Sequence, residues 1–267
     1  MNKIIHYCWF GDRPIDDLGN RCIESWKKYC PGYEIKLWNE SNFDLSCCDY
    51  VRQAAEEKQW AFVSDFARIY VVYKYGGIYF DTDVELIKPI DDIVSRGPFL
   101  GFETDPDDTT PGTVAMGLGF GGNPGMQLLK DLLDDYHSST FSFSSDAHQA
   151  YTIVQRVDDV LLKYGISCTK GTQEVAGFTI YPAEFFNPKN AETGIVNIQL
   201  NTRSIHHFSA SWYSPVEKRV VELKYTICSH FPRLSPKFAS LFAKLLCGVL
   251  DGEWSPLSAL LKKRLKI

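Results

Sequence analysis

The sequence predicts an α/β fold, a mainly parallel central sheet covered by helices, followed by a small helical segment, and three observations carry that prediction. First, Lys3–Phe10, rich in β-branched and aromatic residues, leads through a turn into a helical stretch and then a second strand. Second, an apolar helical stretch ends at Gly76-Gly77 and runs directly into Ile78-Tyr79-Phe80. Third, 267 residues of which 45% are hydrophobic suffice for one large domain with an appendage, and exclude a disordered chain, a collagen or a short disulfide scaffold.

Taken in order, Lys3–Phe10 stops at Gly11-Asp12-Arg13-Pro14, a turn sequence. Asn20–Tyr29 reads as a helix halted by Pro31-Gly32, and Tyr33–Trp38 as the second strand. A helix begins near Tyr50. In the next one Phe66, Ile69, Val72 and Tyr73 share a face, with Ser64 as N-cap and Gly76-Gly77 as stop. Ile78–Phe80 is a strand that delivers Asp81-Thr82-Asp83. Gly97–Phe102 is another strand, Thr104–Thr113 an acidic loop, and Met116–Pro124, with four glycines, extended or looping. Met126–Tyr136 and Asp146–Tyr164 read as helices, Thr179–Pro188 and Arg203–Phe208 as strands with connections. No repeat is present, so the expected domains are 1–213 and 214–267.

The formal net charge of −5 argues against a nucleic-acid binder, which needs a basic surface to neutralise phosphates. The charge is uneven: residues 214–267 hold ten Lys/Arg and four acids, a net of +6, which leaves −11 for residues 1–213. The eight cysteines lack the paired spacing of a structural zinc site and read as free thiols of a reducing cytosol. The N-terminal ten residues are too short and polar for a signal peptide, and no run of 18 apolar residues spans a membrane.

The chemistry concentrates at Asp81 and Asp83. In an extended chain, residues two apart point to the same side, and two neighbouring carboxylates stay ionised together most easily around a divalent cation. A hard cation held by one or two carboxylates keeps positions for phosphate oxygens, so the pair suits Mg²⁺ or Mn²⁺ with a diphosphate. An isolated D-x-D is also compatible with two solvated acids at a strand end.

The surrounding motifs are more specific. Ala61-Phe62-Val63-Ser64-Asp65-Phe66-Ala67-Arg68, then Tyr75-Gly76-Gly77-Ile78-Tyr79-Phe80-Asp81-Thr82-Asp83-Val84, resembles the glycosyltransferase family whose sugar-binding region contains the D-x-D motif, family 32 of the sequence-based classification. Its members include bacterial capsule and lipopolysaccharide enzymes and fungal mannosyltransferases, with the clostridial glucosylating toxins as remoter relatives. Lys3–Gly11, Trp26–Pro31, Tyr33–Asn39 and His206-His207-Phe208-Ser209-Ala210-Ser211-Trp212 are similar to further blocks of the family. The resemblance covers residues 3–90 densely and 178–213 in pieces. It implies an A-type glycosyltransferase fold, a nucleotide-sugar donor and retention of anomeric configuration. It assigns Asp83 and Asp81 to the metal and the donor, Asp65 and Arg68 to the donor sugar and nucleotide, Trp9 to the base, and Ser211 and Trp212 to the diphosphate. His206 or His207 could complete the metal shell, with His206 preferred by its spacing to Trp212, although a structural histidine fits the same positions.

Several residue types agree with these roles. Asp65 and Arg68, three apart on a helix, are neighbours that grip a sugar diol from one side, although a plain surface ion pair has the same spacing. Trp9 offers a π-face worth ~1–3 kcal/mol to a stacked base, or packs in the core. Between Thr104 and Gln173 the chain departs from the family: Ala147–Thr152 stands where a Gly-Pro-hydrophobic-Thr element is usual, in the region that shapes the acceptor pocket. The implied reaction is transfer of a hexose from a UDP-sugar, UDP-galactose as first choice, to a hydroxyl of a lipid-linked oligosaccharide in surface polysaccharide synthesis. Two other readings use the same residues: a non-catalytic sugar- or nucleotide-binding module, and a D-x-D phosphotransferase, for which Glu85 stands where Thr is required. At the C-terminal end, Phe238, Leu241, Phe242, Leu245 and Leu246 at helical spacing, with Lys237, Lys244 and the Lys262–Lys266 cluster, fit an anionic membrane interface as well as a helical pair packed on the catalytic part. The expected location is cytoplasmic, peripheral to the inner face of the membrane.

Overall fold

The computed structural model describes residues 1–141, 151–209 and 213–250. The chain divides into two compact units, Met1–Pro188 with Ile198–His207, and Lys189–Asn197 with the chain from Phe208 on. The contacts thus group Lys189–Asn197 and Phe208-Ser209 with the C-terminal helices, whereas the change in charge falls at 213/214.

The first unit is an α/β layer structure. Its strands β1 (Ile4–Cys8), β2 (Glu34–Trp38), β3 (Gly77–Tyr79), β5 (Phe99–Thr104), β6 (Thr113–Val114), β7 (Phe120–Gly122), β8 (Gln173–Val175) and β9 (Phe178–Tyr181) form one sheet in the order β2-β1-β3-β7-β5-β9-β8, with β6 on β5. Five strands, β1, β2, β3, β5 and β9, share a direction, and β6, β7 and β8 oppose it. A separate antiparallel ribbon pairs β4 (Val84–Leu86) with β10 (Ser204–His206).

Alternation along the strands sorts the core into two clusters, one for each face of the sheet. Tyr79, Leu100, Phe102, Phe120, Phe178 and Ile180 pack with α3 (Trp60–Tyr75) and α5 (Gln127–Ser138). Ile5, Tyr7, Ile78, Phe80 and Phe99 point the other way and pack with Trp26 of α1 (Asp17–Tyr29). α1 starts where the Asp16 carboxylate accepts the Gly19 N–H at 2.8 Å, three residues before the expected start, and closes with Lys27 and Lys28 against its dipole.

The helix carrying Asp65 differs from expectation. It begins at Trp60 rather than at Ser64, because the apolar Trp60–Val63 extends the buried face by a turn; Ser64 is an interior residue whose carbonyl accepts from Arg68 Nε at 3.3 Å. Gly76, at φ +64°, ends it as expected. In the segment expected as strand with connection over 179–188, the strand is β9 and a short helix, α7 (Ala183–Phe186), follows it, since Pro182 leaves the ladder without a donor. The helix expected from Asp146 starts at Ile153, as α6 (Ile153–Lys163), because Thr152 and Gln155 form a capping box there; residues 146–150 of the expected helix lie outside the described residues.

His6, in the middle of β1, ties three segments together. Trp38 Nε1 donates to His6 Nδ1 at 3.0 Å, so the other ring nitrogen carries the proton and donates to the Gly76 carbonyl at 2.8 Å. Burial lowers the imidazole's pKa, consistent with this neutral ring. The tie brings the end of α3 onto β1 and β2 at the point where the chain enters β3. Gly77 allows the approach: a Cβ there would lie 2.6 Å from the Ile4 carbonyl.

The second unit contains α8 (Pro215–His230), which starts at a Ser214–Glu217 capping box with Pro215 in the first turn, and α9 (Pro236–Leu250). Ala239, Ala243 and Cys247, spaced by four, are the buried residues among the described side chains of α9. Phe238, Phe242 and Leu246, one position earlier in each turn, are exposed. All eight cysteines of the chain are free thiols.

Candidate active site around Asp81, Asp83 and His206

Asp81 follows the carboxyl end of β3, the edge at which open α/β sheets bind ligands. The chain does not continue extended there. It turns, with the Val84 N–H donating to the Asp81 carbonyl at 3.0 Å, so the turn rather than strand alternation brings the two carboxylates together. The β4–β10 ribbon supplies the third group. In its register His206 faces Val84, and His206 Nε2 lies 3.1 Å from Asp83 Oδ1. The adjacent His207 donates its backbone N–H to the Asp83 carbonyl at 2.9 Å and turns its ring to Glu85 Oε2 at 2.8 Å. Of the two histidines, His206 therefore faces the aspartates. One ligand atom from each of Asp81, Asp83 and His206 lies within 4.8 Å of the others. Two carboxylate oxygens and an imidazole nitrogen form a donor set suited to Mg²⁺ or Mn²⁺, so these residues fit the cation that a D-x-D site implies.

Behind the aspartates lies a buried charge network. Arg68 pairs with Asp65 at 2.9 Å and with Asp81 at 3.3 Å, and its guanidinium sits 5.2 Å from the centre of the Tyr79 ring. Tyr79 donates its hydroxyl to Asp81 Oδ1 at 2.9 Å. Burial pushes the Asp65 carboxyl up to about 6, against the pull of Arg68, and also raises Asp81, where Asp83 adds to the effect. Burial alone would lower Arg68 and His206. The carboxylates outweigh it, Asp81 most for Arg68 and Asp83 most for His206, and both pKa values rise. Two carboxylates, Asp65 and Asp81, thus share the Arg68 guanidinium, whose removal would leave them uncompensated.

The residues read from the sequence fall into three groups. Asp65, Arg68, Asp81, Asp83 and His206 come together. Trp9 follows β1, next to β3 at the same sheet edge; it is half-buried, its indole N–H bonds to the Arg13 carbonyl at 2.6 Å, and its backbone N–H to the Trp38 carbonyl at 2.9 Å. Ser211 and Trp212 lie outside the described residues. Two participants were missed. Tyr79 stands two residues before Asp81, a spacing that could have flagged it. Gly117 lies in the glycine-bearing segment, and a Cβ there would sit 2.3 Å from Asp81 Oδ2 and 3.2 Å from Arg68.

Residues 16–100 match the family described as glycosyltransferase sugar-binding region containing DXD motif. Two proteins of Schizosaccharomyces pombe are similar to the chain. Inositol phosphoceramide mannosyltransferase 1 is 27% identical over 113 residues, 39% of this chain and 34% of the relative. Inositol phosphoceramide mannosyltransferase 3 is 31% identical over 103 residues, 34% of this chain and 27% of the relative. The chain thus spans about a third of the length of these relatives. Among solved structures, PaToxG glycosyltransferase aligns with a TM-score of 0.44 and 16% identity, over 61% of this chain and 69% of that one.

Proposed function

We propose that this chain, whose residues 16–100 are a glycosyltransferase sugar-binding region containing the DXD motif, is a metal-dependent retaining glycosyltransferase that moves a hexose from a nucleotide-sugar donor to a hydroxyl of a lipid-linked glycan. The observation that carries the reading is the meeting of Asp81, Asp83 and His206 beside the buried Asp65–Arg68 pair at the carboxyl edge of the sheet.

In this reading Asp81, Asp83 and His206 hold Mn²⁺ or Mg²⁺. A bound divalent cation supplies Lewis-acid neutralisation of the charge that grows on the departing nucleoside diphosphate. Arg68 adds fixed positive charge behind that leaving group, already oriented by Asp65 and Asp81, so little reorganisation accompanies reaction. Asp65 accepts hydrogen bonds from hydroxyls of the donor sugar. Trp9 stacks on the base. The family resemblance assigns Ser211 and Trp212, outside the described residues, to the diphosphate. A phosphotransferase role for Asp81 is disfavoured, because Arg68 and Tyr79 engage its oxygens and so weaken it as a nucleophile.

A UDP-sugar, UDP-galactose first, is the donor the bacterial resemblance favours, and the names of the yeast relatives add a mannose donor and a lipid-borne acceptor to the choices. A lipid-linked acceptor for surface polysaccharide fits a cytoplasmic enzyme peripheral to the inner face of the membrane. Calorimetry with UDP- and GDP-hexoses in the presence of Mn²⁺ tests the reading: one donor should bind, and transfer should vanish in EDTA and in an Asp83→Ala variant whose circular dichroism shows it to be folded. Failure of every donor to bind, or full activity in EDTA, refutes it.

A further inference from the structure

The strands that share a direction set up an order along one edge of the sheet. Trp9 follows the carboxyl end of β1, Asp81 that of β3, and Glu103 lies at that of β5. Only β7 separates β3 from β5, so Glu103 stands about two strand spacings, roughly 10 Å, beyond the strand of the D-x-D turn. In the glycosyl-transfer reading the base lies at β1 and the diphosphate at β3, which leaves the β5 end for the sugar and its acceptor.

The backbone singles Glu103 out. The β5–β6 ladder slips between Phe102, opposite Val114, and Thr104, opposite Thr113, which makes Glu103 the residue of a bulge. Bulges re-aim a side chain and gather near functional sites. The Glu103 carbonyl is fixed by Asn187 Nδ2 at 3.0 Å. Its side chain is half-buried, yet among the described residues none donates a hydrogen bond to the carboxylate and none forms an ion pair with it. Burial raises its pKa, and the charge of His206 partly offsets that rise. The neighbouring Asp158, on α6, is anchored instead: it accepts the Val114 N–H at 3.0 Å. Glu103 is not one of the residues that converge for a cation. A partly desolvated carboxylate with its lone pairs unclaimed needs neutral donors, and sugar hydroxyls are such donors.

We propose that Glu103 binds the acceptor, its carboxylate accepting hydrogen bonds from ring hydroxyls of a hexose at the β5 end of the sheet. The assignment rests on the glycosyl-transfer reading. It is tested with the full chain, Mn²⁺, the nucleotide sugar selected by calorimetry, and aryl hexosides of gluco, galacto and manno configuration as acceptors, with transfer to the hexoside and hydrolysis by water measured in the same tube. The ratio of transfer to hydrolysis should fall at least tenfold in Glu103→Ala and recover in part in Glu103→Asp; Glu103→Gln provides the same comparison if the alanine variant does not fold. An unchanged ratio in a folded variant overturns the assignment, as does a wild-type enzyme that hydrolyses donor but glycosylates none of the hexosides. A wild-type protein that neither binds nor hydrolyses any nucleotide sugar overturns the underlying reading as well, and persistent donor turnover tells the two failures apart.

Discussion

Arg68 is the residue on which the charge balance of the site turns. Its guanidinium is buried between Asp65 and Asp81, and taking away one member of a buried ion network costs about 3–5 kcal/mol because the remaining charges stay desolvated. Arg68→Met should therefore lower the melting temperature sharply at pH 8. Part of the loss should return near pH 5. Asp65 is already raised to about 6 in the fold, above its ordinary value of 3.8, so the fold holds its proton more tightly than the unfolded chain does. Such a group favours folding at low pH, and that favour is lost as pH rises through about 6. Without Arg68 the effect grows. Melting curves of the two proteins at pH 5 and pH 8 measure it, and an equal deficit at both pH values would contradict the charge balance described here.

At the scale of elements, the turn over Asp81–Val84 depends on a close approach by the segment before β7, where Gly117 gives its carbonyl to the Asp81 N–H at 3.4 Å. A methyl group on Gly117 would collide with Asp81 Oδ2. Gly117→Ala should accordingly reduce transfer about tenfold or more and weaken Mn²⁺ binding, measured by calorimetry, while the protein remains folded. Much of this architecture was legible in the sequence. The strand–helix–strand order, the Gly76 stop and the Asp65–Arg68 spacing are local patterns set by two or four residues in a row. What was not legible has a common cause. The start of α3 lay hidden because an all-round apolar helix has no polar face to mark its first turn. The D-x-D turn carries no signal of its own, because the alternation of the strand before it describes an extended continuation equally well. The approach of Gly117 and the bulge at Glu103 arise from strands paired across long stretches of chain, which no local period encodes.

On the scale of the whole molecule, the C-terminal helices carry an exposed apolar surface. The spacing of Phe238, Leu241, Phe242, Leu245 and Leu246 fits a membrane interface as well as a packed helix; among the described side chains of α9 the small Ala239, Ala243 and Cys247 are the buried ones, while Phe238, Phe242 and Leu246 are 55%, 47% and 38% exposed. Exposed Lys237, Lys244 and Arg233 lie near them in sequence. Apolar side chains flanked by cations match an anionic bilayer, each cation adding about 1 kcal/mol near the surface. Flotation with phosphatidylserine vesicles should carry the protein to the top, less so in high salt, and Phe238→Ser combined with Phe242→Ser should release it; equal recovery of the double variant would count against a membrane role.

The three-way tie at His6 also has a kinetic consequence. It joins positions 32 and 70 residues apart, and β1 cannot sit between β2 and β3 until α3 has closed the longer of these loops. Closing long loops before their contacts give any return slows a folding reaction. Helices form within microseconds, whereas the D-x-D turn acquires its shape only after β3 docks. On dilution from denaturant, recovery of Mn²⁺ binding should thus trail recovery of the far-ultraviolet helical signal, and His6→Ala should lengthen that delay more than it alters the helical phase.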